Sequence, residues 1–215
     1  MYKKKPFLIV FEGVEGCGKS YQSQKLIRSL KKKGINPILT REPGGTRSAE
    51  SIRTLILKDY FNKGKEEKFD KYTDTLLYLA ARNEHIKNKI EPALKRKKVV
   101  ICDRFIDSTI AYQVYGKKVN RSFIDNIHKF ILQGIKPNLV FILKVSSKSS
   151  KLRLKKRKTK NRYDNFSQSF YTKAQKSFLK IAKNKKNYFV LNSSSNNTNL
   201  EKKISNIVFK KLKIK

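Results

Sequence analysis

No run of this sequence is apolar for long enough to cross a bilayer. Residues 7–11 and 139–143, the longest apolar stretches, are about a quarter of the ~20 residues a membrane helix needs, so they read as buried strands. Three lysines precede the first run, as in a secretory leader, but that run already stops at Glu12. Cysteine is almost absent. Cys17 and Cys102 each fall inside a segment that reads as nucleotide-site chemistry, which argues against a disulfide framework and for a reducing, cytoplasmic setting. Acidic residues are scarce as well, 16 against 52 basic ones, for a formal net charge of +36. Such an excess ordinarily points to a polyanion or a membrane surface. Only 11 of the 52 are arginine, however, and the lysines are spread over every expected helix face. The clustered, aromatic-interleaved groove that binds single strands is missing. The charge therefore reads as lysine filling solvated positions, with no specific nucleic-acid partner and no membrane partner. Internal repeats and long linkers are lacking too, and 215 residues suffice for one core, so one domain over residues 1–215 is expected.

What is present is alternation. Apolar runs bounded by turn residues alternate with longer amphipathic stretches, the pattern of βαβ units and a parallel sheet. Five strands are predicted, at residues 7–11, 36–40, 99–102, 139–143 and 188–191. Helices are predicted from Gly18 or Lys19 to Lys33, over 73–90 with a stop at Pro92, over 122–133 before Gly134, over 148–160, over 162–182, and over 200–212. The fold class is α/β, a three-layer α/β/α arrangement with a five-stranded parallel sheet flanked by helices.

Between the first strand and first helix lies Gly13-Val14-Glu15-Gly16-Cys17-Gly18-Lys19-Ser20, a glycine, four residues, then glycine, lysine and serine: the P-loop spacing. Glycines let the backbone curl so that successive N–H groups face the phosphates, and the helix behind them adds the positive end of its dipole. Lys19 can reach the β- and γ-phosphates, and the Ser20 hydroxyl suits a magnesium ion bridging them. A structural turn has no need of lysine followed by serine. The loop speaks for nucleotide phosphate binding but does not separate hydrolases, switches and kinases.

Three further segments lie where an acceptor would sit, at the carboxyl ends of the strands: residues 41–46, 76–82 and 103–113. Arg104, at a strand end facing the cradle, is placed to clamp a phosphate with its planar fork. Tyr78 and Arg82 stand one helical turn apart, an aromatic plane for a base beside a donor for its carbonyl edge. His85 and His128 read as structural, because phosphoryl transfer depends on positioning and charge neutralisation rather than on a histidine base. Cys17 reads as a small filler.

Loop and segments together resemble the thymidylate kinase family, in its order and spacing, over residues 7–182. The resemblance implies transfer from ATP, with Mg2+, to dTMP, giving dTDP on the way to dTTP, and a homodimer. It implies that the loop residues 13–20 and Tyr21 hold the donor. Glu15 would approach the acceptor sugar's 3′-hydroxyl or the ions near its phosphate, and Arg53 and Arg104 would hold that phosphate. Tyr78 would stack on thymine, Arg82 and Gln113 would bond the base edge, and Thr109 would lie nearby, with Glu42 and Ser108 in the same acceptor set. Tyr112 would crowd the ribose 2′ position, and Asp103 would help Ser20 organise magnesium.

A lid over about 148–164 is similar as well. The family carries an arginine either inside the P-loop or in the lid, and Gly16 places this chain in the second arrangement, with Arg153 and Arg157 as catalytic arginines beside Lys19, Arg104 and Glu15. Departures from the family pattern are Lys144, Ser147, Lys148, Asn161 and Asn192. Most sit away from the acceptor segments, but Asn161 adjoins the lid arginines and bears on closure. Two other readings stand beside this one: a P-loop kinase acting on another nucleotide or on a deoxynucleoside, and a basic nucleic-acid-binding protein that uses ATP as a switch.

Overall fold

The computed structural model describes residues 5–57, 69–156, 167–195 and 198–214. Five strands, β1 (Phe7–Glu12), β2 (Ile38–Arg41), β3 (Val99–Asp103), β4 (Leu139–Lys144) and β5 (Tyr188–Asn192), pair in parallel in the order β2-β3-β1-β4-β5. Every residue of β1 is buried. Since successive side chains point to opposite faces, both faces of the sheet are covered, which is why the central strands read as continuous apolar runs. Phe11 of β1 stacks on Phe141 of β4 with ring centroids 5.2 Å apart. The sheet flanked by helices is the α/β arrangement expected from the alternation.

The helices are α1 (Lys19–Lys32), α2 (Arg47–Leu57), α3 (Lys71–His85), α4 (Glu91–Lys95), α5 (Ile106–Thr109), α6 (Arg121–Leu132), α7 (Ser147–Lys155), α8 (Gln168–Ala182) and α9 (Thr198–Leu212). Side-chain caps set several starts: Asp70 accepts from Tyr72 N, Asn120 from Ser122 N, Ser146 from Ser149 N and Ser167 from Phe170 N, each cap being worth about 1 kcal/mol. Among the described residues no helix is long and apolar enough to cross a membrane.

Three differences from the sequence reading have physical causes. Pro92 does not stop its helix: α3 passes through a π-helical turn, Ile86–Ile90, into α4, with Glu91 N–H donating to Ile86 O. The widened turn absorbs the position where proline lacks an N–H and crowds the preceding carbonyls. Helix α2 was not anticipated because of its 11 residues only Ala49 and Ile56 are buried, too thin a stripe to show as periodicity. The segment 103–113, read only as a site segment, runs from the end of β3 into α5 and a second π-helical stretch, Ile110–Gly116. The helices expected over 148–160 and 162–182 are described as α7 and α8; residues 157–166 between them lie outside the described residues.

The strand order places β1 between β3 and β4, so the chain after β1 emerges where the direction of connection changes. In a parallel sheet the crevice outside such strand ends is the binding position. The ends of β1, β2 and β3, carrying Glu12, Arg41 and Asp103, meet there.

Candidate active site

The chain leaves β1 at Glu12 and curls at once. Gly13, Gly16 and Gly18 hold φ values of 136°, 71° and 92°, a region side-chain-bearing residues rarely adopt. Space is limiting too: a Cβ on Gly13 would stand 2.6 Å from Leu143 O, and one on Gly16 2.8 Å from Ser150 O. Lys19, buried at the start of α1, donates from Nζ to the carbonyls of Gly13 and Val14, both at 3.0 Å. Val14 and Cys17 are buried beneath the loop. Burial raises the Cys17 thiol above its ordinary value despite the nearby Lys19, as suits a filler rather than a reactive thiolate. The Ser20 hydroxyl donates to Asp103 Oδ2 at 2.6 Å, tying the start of α1 to the end of β3. Tyr21, half exposed, donates from its hydroxyl to Glu201 of α9 at 2.8 Å.

Facing the loop is Arg104, itself at φ 73°. Its Nη1 donates to Gly13 O at 2.9 Å and to Ser108 Oγ at 3.1 Å, and its Nη2 to Glu15 Oε1 at 2.7 Å. The guanidinium lies over the Tyr112 ring, 5.3 Å from its centroid. Tyr112 in turn donates to Glu15 Oε2 at 2.6 Å, and its ring is wedged against Phe170 and Phe178 of α8 at 5.8 and 6.0 Å. Glu15 is thus gripped at both oxygens. Burial would loosen the Arg104 proton, but Glu15, Tyr112 and Asp103 outweigh it and hold the group firmly charged.

Behind these lies a buried polar network that fixes Arg82. Its Nε donates to Glu42 Oε2 at 2.7 Å and its Nη2 to Phe105 O at 2.9 Å. Because arginine can only donate, the contact of Nη1 with His128 Nε2 at 2.8 Å makes that histidine nitrogen an acceptor. Burial and Arg82 push the His128 pKa down to about 3, so it stays neutral. His85 Nδ1 donates to Glu42 Oε1 at 3.0 Å, and its Nε2 meets the Thr40 hydroxyl at 2.6 Å. Burial alone would raise the Glu42 carboxyl, yet Arg82 and His85 hold it below the usual carboxylate range. Both histidines are therefore parts of the scaffold around Arg82.

Across the mouth, α7 sits on the loop. The Ser150 hydroxyl donates to Glu15 O at 2.8 Å, and Arg153 donates from Nη1 to Gly16 O at 3.1 Å and from Nη2 to Ser193 O at 2.8 Å. The close approach of Ser150 to Gly16 leaves no room there for an arginine in the loop. Arg157 and residues 161–164, the rest of the expected lid, lie outside the described residues.

All of this lines one cleft of about 450 Å³, which joins Lys19, Ser20 and Arg153 on one side to Arg53, Tyr78, Arg82, Thr109 and Gln113 on the other. Every sequence-predicted site residue that is described either lines it or, as with Gly13, Val14 and Cys17, lies directly under the loop. Arg53 donates from Nη1 to Pro43 O at 2.6 Å. Gln113 is buried, and its Nε2 has no hydrogen-bond partner among the described residues. Arg41, Pro43 and Phe105 also line the cleft; they stood inside the singled-out segments without a role. Leu154 lines it too, and no local pattern marked it. By sequence the chain matches a known family: the profile described as Thymidylate kinase covers residues 11–204.

The chain belongs to the thymidylate kinase family. The thymidylate kinase of Wolbachia pipientis subsp. Culex pipiens (strain wPip) is 41% identical over 211 residues, 95% of this chain and 97% of that one. That of Geobacillus sp. (strain WCH70) is 41% identical over 174 residues, 80% of each. The crystal structure of thymidylate kinase from Ehrlichia chaffeensis superposes with a TM-score of 0.73 at 33% identity, over 97% of this chain and 99% of that one.

Proposed function

We propose that the cleft transfers the γ-phosphoryl group of ATP to the 5′-phosphate of dTMP, the phosphorylation to dTDP that its family carries out. The loop of residues 13–20 cradles the donor phosphates, and the acceptor lies between Arg104 and the pocket of Tyr78, Arg82 and Gln113. The observation that carries the pyrimidine reading is the Gln113 carboxamide. A buried amide nitrogen without a partner among the described residues is rare and calls for an explanation; a base carbonyl meeting Nε2, with a ring N–H facing Oε1, supplies one.

The roles follow from what each group can reach. Lys19, Arg104 and Arg153, with Arg157 beyond the described residues, offset charge on the transferring group, where little covalent chemistry is left to the protein. Arg104 keeps its Nε–H and one Nη2 hydrogen for the acceptor phosphate, and Arg53 approaches from α2. Tyr78 offers its ring to the base. Tyr112, wedged by α8 and bonded to Glu15, fills space beside the sugar and favours deoxyribose. Ser20 Oγ and Asp103 Oδ2, 2.6 Å apart at the cleft wall, are hard oxygens that fit magnesium, which takes one or two protein oxygens and completes its shell with phosphates and water. Among the described residues no group of three or more His, Cys, Asp or Glu side chains forms a metal cage, consistent with such an ion. When bound it would neutralise charge on the donor phosphates.

Exposed apolar side chains on neighbouring helices, Leu55 on α2, Leu76 on α3 and Phe130 on α6, support pairing with a second copy, which light scattering would test. Two free cysteines, both buried, support the cytoplasmic setting. Side-by-side phosphoryl-transfer assays with dTMP, dUMP, dCMP, AMP, GMP and thymidine test the substrate reading. dTMP should be preferred, and a preference for a purine or for the nucleoside would overturn it.

A further inference from the structure

Glu12, the last residue of β1, takes no part in the roles above, yet it is fully buried and its carboxylate receives three hydrogen bonds. Oε1 accepts from Phe105 N at 2.8 Å and from Ser108 N at 3.2 Å, and Oε2 accepts from Ser108 Oγ at 2.6 Å. All three donors belong to Phe105 and Ser108, the N-cap and a residue of the short helix α5 that follow Arg104. A hydroxyl has one hydrogen, and arginine can only donate. With Arg104 Nη1 donating to Ser108 Oγ at 3.1 Å, the Ser108 hydrogen is committed to Glu12, and the order of donation runs from Arg104 through Ser108 to the carboxylate. Two turn amides alone can be satisfied by a neutral side chain; a fully buried carboxylate is costly without further use.

We propose that Glu12 is a positioning residue for Arg104, orienting its guanidinium through the Ser108 hydroxyl and fixing it relative to the phosphate loop that begins at the next residue. This rests on the reading of Arg104 as the acceptor-phosphate clamp. The bond from Arg104 N to Phe11 O at 2.9 Å and that from Arg104 Nη1 to Gly13 O at 2.9 Å flank Glu12 on both sides. One short stretch of backbone, residues 11–13, therefore sets both the donor cradle and the acceptor clamp.

The charged surroundings give the arrangement a pH signature. Around Glu12 stand Arg104 from the turn after β3 and Asp107 from α5, the latter facing Tyr188 of β5, Lys185, Arg82 and Arg121. Burial and Asp107 push the Glu12 carboxyl up to about 8, against the pull of Ser108 and Arg104. A protonated Glu12 donates to Ser108 Oγ, whose two lone pairs then serve both Glu12 and Arg104, so the hydroxyl no longer hands its hydrogen to an anion and the charge-assisted pull on the chain is lost; the ionised form restores it. Activity should therefore rise with pH through this range.

The test is steady-state kinetics on the full chain for the wild type, Glu12→Gln, Ser108→Ala, the double variant and Arg104→Ala, each at several pH values, with thermal unfolding alongside. Glutamine keeps the shape but sets an NH2 against Ser108 Oγ. Glu12→Gln and Ser108→Ala are each expected to lower kcat/KM for dTMP by about tenfold, one charge-assisted bond's worth, with KM for ATP within about twofold. The double variant should be about as impaired as the worse single one, since both break one chain, and Glu12→Gln should lose the pH-dependent rise. Additive losses, equal loss toward ATP, or a pH profile unmoved by Glu12→Gln would overturn the proposal. If Glu12→Gln does not fold, Ser108→Ala decides alone: wild-type kcat/KM for dTMP with the rise intact overturns it. Near-normal turnover in Arg104→Ala instead removes the clamp reading itself, whereas a severe loss there with normal Glu12 and Ser108 variants removes only this inference.

Discussion

Replacing Arg104 by alanine isolates the acceptor clamp proposed above from the rest of the cleft. Of the five N–H groups of Arg104, both on Nη1 and one on Nη2 are committed to Gly13, Ser108 and Glu15, which among the described residues leaves Nε–H and one Nη2 hydrogen for a phosphate edge. Two charge-assisted bonds at about 1.5–3 kcal/mol each amount to about 3–6 kcal/mol, or a loss of about 10² to 10⁴ in kcat/KM. Stability responds differently. Position 104 holds φ 73°, a left-handed conformation that costs a residue with a Cβ about 1–2 kcal/mol and glycine very little. Arg104→Gly should therefore be as inactive as Arg104→Ala but more stable by about 1 kcal/mol, a rise in Tm of roughly 2–4 °C for a chain of this size. Coupled ADP release measures the first effect and thermal unfolding the second. Turnover within about tenfold of wild type in a folded alanine variant would refute the clamp, and recovery of activity in the glycine variant would move the defect from the guanidinium to the backbone.

Gly13→Ala should lower both stability and nucleotide affinity, because its Cβ would lie 2.6 Å from a backbone carbonyl at φ 136°, and no rotamer can relieve that; about 1–3 kcal/mol is the scale of such strain, and a wild-type melting curve would contradict it. Acid should destabilise the fold through His128. Its folded pKa of about 3 lies below the ordinary 6.5, so between those values the unfolded chain binds more protons, and the stability present above pH 6.5 is lost as pH falls toward 3. Unfolding of His128→Gln across that range should show a shallower acid slope, and an unchanged slope would exclude the assignment. Glu12 works with the opposite sign. Its folded value of about 8 exceeds the ordinary 4.5, so stability is present below 4.5 and lost as pH rises toward 8, a loss that Glu12→Gln should remove.

Much of this was legible along the chain because the relevant forces are local. The strands showed as apolar runs, and the loop showed as glycines spaced for three positive φ values followed by lysine and serine. Arg104, Tyr78 and Gln113 stood in short segments at strand ends or on helices next to them. Helix α2 and the passage through Pro92 did not show, since one has a thin buried stripe and the other depends on a π-helical turn that no residue pattern announces. Leu154 reached the cleft only because α7 folds back over the loop.

Sequence by itself determined the sheet, the curled glycine loop after β1 and the identity of the charged groups, since these depend on neighbours a few residues apart and on residue chemistry. Tertiary structure alone decided what those groups touch. Glu12 meets Ser108 96 positions away, Arg82 meets Glu42 across 40 and His128 across 46, and Arg153 meets Gly16 across 137. Such partners are selected by how strand ends converge and how helices pack. The hydrogen of Ser108, the neutrality of His128 and the raised pKa of Glu12 follow from burial and proximity, which exist only once the chain has closed around them.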